Sequence, residues 1–558
     1  MTQHATTLVE LFARRADQGG RRTALWERRG DEFVAVDWKQ LASDVRRLAA
    51  ALCELGVERG ERVVQVSENR YEWIVSDLAI QMTGAIHVPL HSTLSGAQIV
   101  QQIADCTARL AIVSSAEQVD KLAGLSGQLN EQLQLVTVEE CWCPEPLSWA
   151  GRWSELIERA SDEAGATVQQ QALARVTAED VATILYTSGT TGEPKGVMLS
   201  HANLVSNALA TVDAVGVVAD DLRLSFLPWS HVFARTCDLY TWLATGARLA
   251  IAEGREQILA NCAELKPTLL NGVPYFFEKV YRAVAEQGAL ETPGTLQQLL
   301  GGNMRFCCSG GAALPVHVAR WFQRQQVTLV EGYGLTETAP VITVGTATAN
   351  KIGTVGRPLQ GVEVRIADDG EILTRGPHVM KGYYHRPDAT DAVLREGWFH
   401  TGDLGQLDED GFLKIVGRKK EMLVLATGKN VAPACIEGLL TEDPLILQTM
   451  VVGDGHNCLA ALIVPDADAL RAAIAERKID VTSREQALVH SEVHELYAAA
   501  VQKRLAGVSG SEQVRQFRLL DRGFSIESGE LTPTLKLRRD VIMANFAAAI
   551  AEMYVDAS

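Results

Sequence analysis

The sequence predicts an α/β protein: a large N-terminal domain of α/β layers with a β-rich subdomain, then a small α+β C-terminal domain. Three observations predict it. At 558 residues the chain is too long for one hydrophobic core, so two to four structural units are expected. Up to residue 334, short apolar runs alternate with stretches whose apolar residues fall at helical spacing, the texture of helices layered on sheets. Between 345 and 419 this gives way to glycine-punctuated alternation of apolar and polar residues, and after 420 a fresh α/β pattern begins.

In chain order, residues 44–55 read as a helix and 62–66, 84–89 and 110–113 as strands. Residues 120–175 are polar, carry Pro144 and Pro146, and read as a loosely organised connection. A short apolar run at 181–185 reads as a buried strand, and 201–215 as a helix. Strand-like pieces follow at 222–227, 248–251, 268–270, 305–308 and 328–331, with a helix over 275–286. Alternation at 362–366 and 412–416, bracketed by the turns Asp368-Asp-Gly370 and Asp408-Glu-Asp-Gly411, marks the β-rich subdomain, about 345–419. The basic junction Gly417-Arg-Lys-Lys-Glu421 places a boundary near Lys420, giving domains 1–419 and 420–558. Past it come a helix at 432–440, strands at 449–452 and 461–464, and further helices; no internal repeat is visible.

Composition narrows the function. Hydrophobic residues make up 47% of the chain, ordinary for a globular protein. No apolar run approaches the roughly 18 residues of a membrane helix, and the start, Met1 to Thr7, lacks a basic region before an apolar stretch. A cytoplasmic location is expected. Net charge is −17 with a pI near 5.3, whereas nucleic-acid binders carry a basic excess, so nucleic acid is not an expected partner. Cations must therefore be placed locally if the substrates are anionic. Ten cysteines form no framework. Cys141 and Cys143 lack a second pair, so zinc is not expected there, and reduced, mostly buried thiols fit better.

The most informative stretch is Tyr186-Thr-Ser-Gly-Thr-Thr-Gly-Glu-Pro-Lys-Gly196. Gly189, Gly192 and Gly196 let backbone approach a ligand and turn N–H groups toward an anion. Thr187, Ser188, Thr190 and Thr191 add hydroxyl donors, and Lys195 a mobile positive charge. Such a loop is equipped to hold a polyphosphate, although its spacing is not that of a Walker loop. Four further segments follow. Ser309-Gly310-Gly311-Ala312-Ala313 is a small-residue loop at a strand end. Gly332-Tyr333-Gly334-Leu335-Thr336-Glu337-Thr338 ends in a carboxylate suited to Mg²⁺, which keeps several waters and bridges phosphates. Phe399-His-Thr-Gly-Asp403-Leu-Gly405 places a carboxylate behind a tight turn, suited to accepting bonds from ribose hydroxyls, with Arg418 fifteen residues on. Gly529-Glu-Leu-Thr-Pro-Thr-Leu-Lys536-Leu-Arg538 sets a lysine between leucines. Each alone has an everyday reading: a turn, a cap, a solvent-facing strand lysine.

Together these segments resemble the adenylate-forming superfamily of acyl-CoA synthetases, peptide-synthetase adenylation domains and beetle luciferases, over about residues 24–541. The resemblance implies ATP as co-substrate, bound through 187–192 and Lys195. It gives Gly310, Gly311 and Ala312 to the adenine edge. It implies that Tyr333, beside Gly334, stacks on adenine, Thr336 touches the α-phosphate and Glu337 holds Mg²⁺. Asp403 and Arg418 would take the ribose. Lys536 would bridge the substrate carboxylate and the α-phosphate as catalytic lysine, and Lys420 sits at the family's hinge. His231, in Leu227-Pro-Trp-Ser-His-Val-Phe-Ala-Arg235, would border the carboxylate end of an acyl pocket with Phe233, while Arg235 stands where some long-chain enzymes carry a tryptophan gate.

Glu264-Leu-Lys-Pro-Thr268, the run from Gly272 to Tyr281 and Ala426-Thr-Gly-Lys-Asn-Val-Ala-Pro433 resemble the long-chain fatty acyl-CoA synthetase branch. The resemblance implies a fatty acid–CoA ligase for medium or long chains. Coenzyme A would enter past Gly428, and Lys536 would reach the phosphate loop only when the second domain closes. The last residue, Ser558, follows Lys536 closely, with no trailing carrier domain expected. Two rivals remain: a fatty acyl-AMP ligase loading an acyl carrier protein, and a non-catalytic acyl- or nucleotide-binding sensor. Acyl length, oligomeric state and transient contact with a membrane surface stay open.

Overall fold

The computed structural model describes residues 5–187, 194–254, 256–525, 527–532 and 536–555. Two large sheets dominate residues up to 420. The first runs Gly382–Tyr383, Lys195–Ser200, Val181–Thr187, Ile86–Leu90, Arg62–Val66, Leu110–Val113, Gln134–Thr137, Ser148–Arg152. Its strands from Val181–Thr187 onward are parallel, and the inner ones are buried on both faces because helices cover both. The second centres on the parallel strands Arg248–Ile251, Leu222–Ser225, Leu269–Gly272, Phe306–Ser309 and Leu329–Gly334, with antiparallel strands at each end. Helix His201–Val215 touches strands of both sheets. Helix Tyr71–Thr83 is buried almost all round, unlike a surface helix with one apolar stripe, because it lies inside the largest apolar cluster.

The β-rich unit pairs Glu363–Ile366, Glu371–Arg375, Trp398–Leu407, Leu394–Arg395 and Leu413–Arg418. After it, Ile446–Val452, Leu459–Pro465 and Val514–Leu519 form a three-stranded sheet with helices on both faces. Every residue of the central strand Leu459–Pro465 is buried. Leu459, Ala461 and Ile463 join one apolar cluster while Ala460, Leu462 and Val464 join the other, as the two-residue strand period requires. The mixed α/β class, large first domain and α+β second domain match the sequence reading.

Three details differ. Residues 120–175 are no loose connection. They supply the strand Gln134–Thr137, the edge strand Ser148–Arg152 and the helices Trp153–Arg159 and Asp162–Arg175. Their polarity reflects position, since an edge strand with exposed Trp149 carries little apolar signal. Next, strand Lys195–Ser200 intervenes between the glycine-rich stretch and helix His201–Val215 and pairs antiparallel with Val181–Thr187, which the sequence reading did not expect. Third, half of the cysteines are buried (Cys106, Cys237, Cys262, Cys307 and Cys308), while Cys53 and Cys435 are exposed.

Arg235 is fully buried, in a π-helical turn Arg235–Tyr240. Its Nη2 lies 2.6 Å from Asp77 Oδ1 and its Nη1 donates to Thr183 Oγ1 at 2.7 Å. The Tyr240 hydroxyl donates to Asp77 at 3.0 Å, and His87 Nδ1 lies 2.9 Å from the same carboxylate. Arg235 is thus turned into the core and takes no place in the lining of the cleft described next. Among the described residues no helix is long and apolar enough to cross a membrane, and no group of three or more His, Cys, Asp or Glu side chains is placed to hold a metal.

Candidate functional site

A cleft of about 2190 Å³ lies where the C-terminal ends of the second sheet's strands meet the β-rich unit and residues 420–555. Its walls bring together Thr187, Lys195, His231, Gly310, Gly311, Ala312, Tyr333, Gly334, Thr336, Glu337, Asp403, Arg418 and Lys536. Ser188, Gly189, Thr190, Thr191 and Gly192 lie outside the described residues.

The hairpin of the first sheet delivers its two ends. Thr187 pairs with Lys195 in register, so both open onto the cleft. Lys195 Nζ stands 5.1 Å from the centre of the Tyr383 ring, a cation held against an aromatic face. Tyr383 is buried and its hydroxyl donates to Glu337 Oε1 at 2.8 Å. Tyr383 carries no motif of its own in the sequence, and its place at the site comes from the pairing of strand Gly382–Tyr383 with Lys195–Ser200.

Strand Leu329–Gly334 ends in the turn Thr336–Thr338, which holds Thr336 and Glu337 at the cleft. Gly334 is required by packing, because a Cβ there would collide with the Pro340 carbonyl. Gly311 has φ +87, a left-handed conformation suited to glycine, and Gly310 packs its Cα against the Phe233 ring. Glu331, also absent from the sequence reading, is a buried carboxylate on the lining whose pKa burial pushes up to about 7 while the Leu314 amide donates to it at 3.1 Å.

Asp403 and Arg418 are cross-strand partners, and Arg418 Nε donates to Asp403 Oδ1 at 2.7 Å. The Tyr333 hydroxyl donates to the other oxygen at 2.7 Å. Burial and then the neighbouring Asp403 carboxylate hold the Tyr333 phenol well above its ordinary pKa, so it remains a donor.

His231 caps a short helical turn, its Nδ1 accepting from the Phe233 amide at 3.3 Å, which leaves the proton on Nε2. Burial, then the charges of His91 and Lys536, lower its pKa to about 3, so the ring is neutral. Lys536 comes from the other domain. Its amide donates to Thr532 Oγ1 at 3.0 Å, beside the bridge between Leu531 and Leu537. The side chain is open to the cleft but deep within it. Loss of bulk solvent lowers its pKa, Arg418 acts the same way, and Asp403, Glu421 and Glu337 act oppositely. Gly428 is not brought in. It occupies an exposed turn, φ +77, between Leu423–Val424 and Asn430–Val431 and stands off the lining.

Residues 12–384 match the model of the AMP-binding enzyme family, and residues 420–558 that of the AMP-binding enzyme C-terminal domain. The long-chain-fatty-acid–CoA ligase FadD15 of Mycobacterium tuberculosis is 36% identical over a 572-residue alignment taking in 94% of this chain and 92% of that protein. Among solved structures, the anthranilate CoA ligase AuaEII in complex with anthranoyl-AMP shares the fold with a TM-score of 0.80 at 21% identity, covering 99% of each chain. The Mycobacterium tuberculosis fatty acyl CoA synthetase does so at 0.68 and 22%, over 98% of this chain and 99% of that one.

Proposed function

The chain belongs to the AMP-binding enzyme family, and on that premise we propose that it is an ATP-dependent fatty acid–CoA ligase for medium- or long-chain acids. The reading rests chiefly on one observation: Lys536 of the second domain projects into the same cleft as Lys195, Thr336, Glu337, Asp403 and Arg418 of the first.

In the first half-reaction a carboxylate oxygen attacks the α-phosphorus of ATP, the bond to the bridging oxygen breaks, and pyrophosphate leaves. Negative charge crowds that centre, so catalysis is mostly positioning plus supply of cations. Lys536 bridges the carboxylate and α-phosphate, and Lys195 takes the departing phosphates with the hydroxyls of 187–191. Thr336 donates to the α-phosphate. The neutral His231 offers its Nε2 proton to the fatty carboxylate without adding charge. Tyr333 stacks on adenine beside Gly310–Ala312. Asp403 accepts from the ribose while Arg418 fixes its orientation.

Mg²⁺ fits the donor set, because this ion is bound by one or two carboxylates plus phosphates, and Glu337 spends one oxygen on Tyr383 while the other has no hydrogen-bond partner among the described residues. When bound, it would offset phosphate charge. In the second half-reaction the coenzyme A thiolate attacks the acyl carbon and AMP leaves. Gly428 lies off the cleft in the present arrangement, so residues 420–558 must turn about Lys420 to present that loop for thioester formation.

The test is AMP release across a chain-length series of fatty acids, with and without coenzyme A. Coenzyme A-dependent turnover supports the reading. Turnover only with an acyl carrier protein would replace it with the carrier-loading rival, and none with any acid would favour a sensor.

A further inference from the structure

The cleft continues behind the second sheet as a channel floored by charge. Strand register gives its depth. Gly310 and Gly332 lie at the mouth, Cys308 pairs with Asn271 below them, and Phe306, Leu269 and Arg223 pair at the bottom. At a rise of about 3.3 Å per residue, the four steps from Phe306 to Gly310 span roughly 13 Å. Val217, Phe306 and Cys308 give the lower channel an apolar wall, the surroundings expected for an acyl tail.

Arg223 breaks that pattern. It is 4% exposed, lines the channel, and makes one hydrogen bond among the described residues, from Nη1 to Asp238 Oδ1 at 3.1 Å. A guanidinium has five N–H donors, so most are unspent. Asp238 stands behind it, off the lining, and is occupied by Ser225 Oγ at 2.6 Å and Asn271 Nδ2 at 2.7 Å as well. Thr211, 6% exposed on the same lining, has a buried hydroxyl without a partner among the described residues. A hydrocarbon terminus reaching this floor would bury the open guanidinium N–H groups unpaired and leave the Thr211 hydroxyl unpartnered as it already is, which disfavours it.

We propose that Arg223 and Thr211 make the channel selective for acids whose far end carries a neutral hydrogen-bond acceptor, a hydroxyl or carbonyl oxygen. Asp238 already balances the arginine's charge, so a second carboxylate is not the preferred terminus. The inference rests on the fatty acid ligase reading above and deepens it to a substrate class.

The test pairs plain saturated acids with ω-hydroxy acids of equal length and measures AMP release by the full chain with coenzyme A. The ω-hydroxy to plain ratio of kcat/KM rises roughly tenfold or more at the length that reaches the floor. In the double variant Arg223→Met, Asp238→Asn, which strands no carboxylate, the ratio falls to about one. Thr211→Val lowers it partway and carries the test alone if the double variant does not fold. A ratio flat at every length, or surviving in the variants, overturns the proposal while leaving the ligase intact. Turnover of neither series overturns both.

Discussion

Asp403 is held at 5% exposure by donors on both oxygens, Tyr333 on one and Arg418 on the other, so its charge and direction are set before any ribose arrives. Hydrogen bonds to charged groups contribute about 1.5–3 kcal/mol, so Asp403→Asn is expected to raise the KM for ATP about tenfold to a hundredfold. ATP saturation curves of AMP formation check this, with circular dichroism confirming the fold; an unchanged KM would remove Asp403 from the nucleotide site. Glu337, Asp403 and Lys536 were legible in the sequence because each sits in a short motif of unusual composition. Tyr383 and Arg223 were not. Both lie in ordinary strand texture and acquire meaning only from distant partners, Glu337 and Asp238.

At the scale of elements, the buried cluster around Asp77 joins helix Tyr71–Thr83, strand Ile86–Leu90, strand Val181–Thr187 and the turn Arg235–Tyr240. Removing one partner of a buried pair strands the other charge, so Arg235→Leu is expected to destabilise by about 3–5 kcal/mol. Urea unfolding reads this directly, and a loss below about 1 kcal/mol would show the cluster to be dispensable. The long strands and helices were readable from periodicity, the run Leu459–Pro465 above all. The strands Gln134–Thr137 and Ser148–Arg152 were not, because the first is only four residues long and the second, at the sheet edge, is half exposed, so each carries too few apolar positions. The hairpin strand Lys195–Ser200 was overlooked because six residues after a glycine-rich loop look like the lead into a helix.

At the scale of the molecule, burial holds His87, His201 and His378 neutral, with pKa values lowered to about 4. An unfolded histidine titrates near 6.5, so below that value the unfolded state binds more protons than the folded one. Their contribution to stability is complete above about pH 6.5 and is lost as pH falls through about 4. Each is expected to cost about 1–2 kcal/mol by pH 5. Urea midpoints taken from pH 7 to 5 should decline, and a flat profile would contradict the burial of neutral rings.

The two domains also meet away from the cleft, where Arg282 reaches Asp466 at 3.4 Å. That pair is partly exposed, weak enough to open and re-form. Such a contact suits a second domain that closes to deliver Lys536 and later turns away. The most direct measurement is ATP–pyrophosphate exchange with a fatty acid and Mg²⁺ but no coenzyme A, in wild type and Lys536→Ala. Wild type should exchange, and the variant should fall by about 10²–10³-fold. Absence of exchange in wild type, or undiminished exchange in the variant, would contradict adenylation driven by a lysine carried in from the second domain.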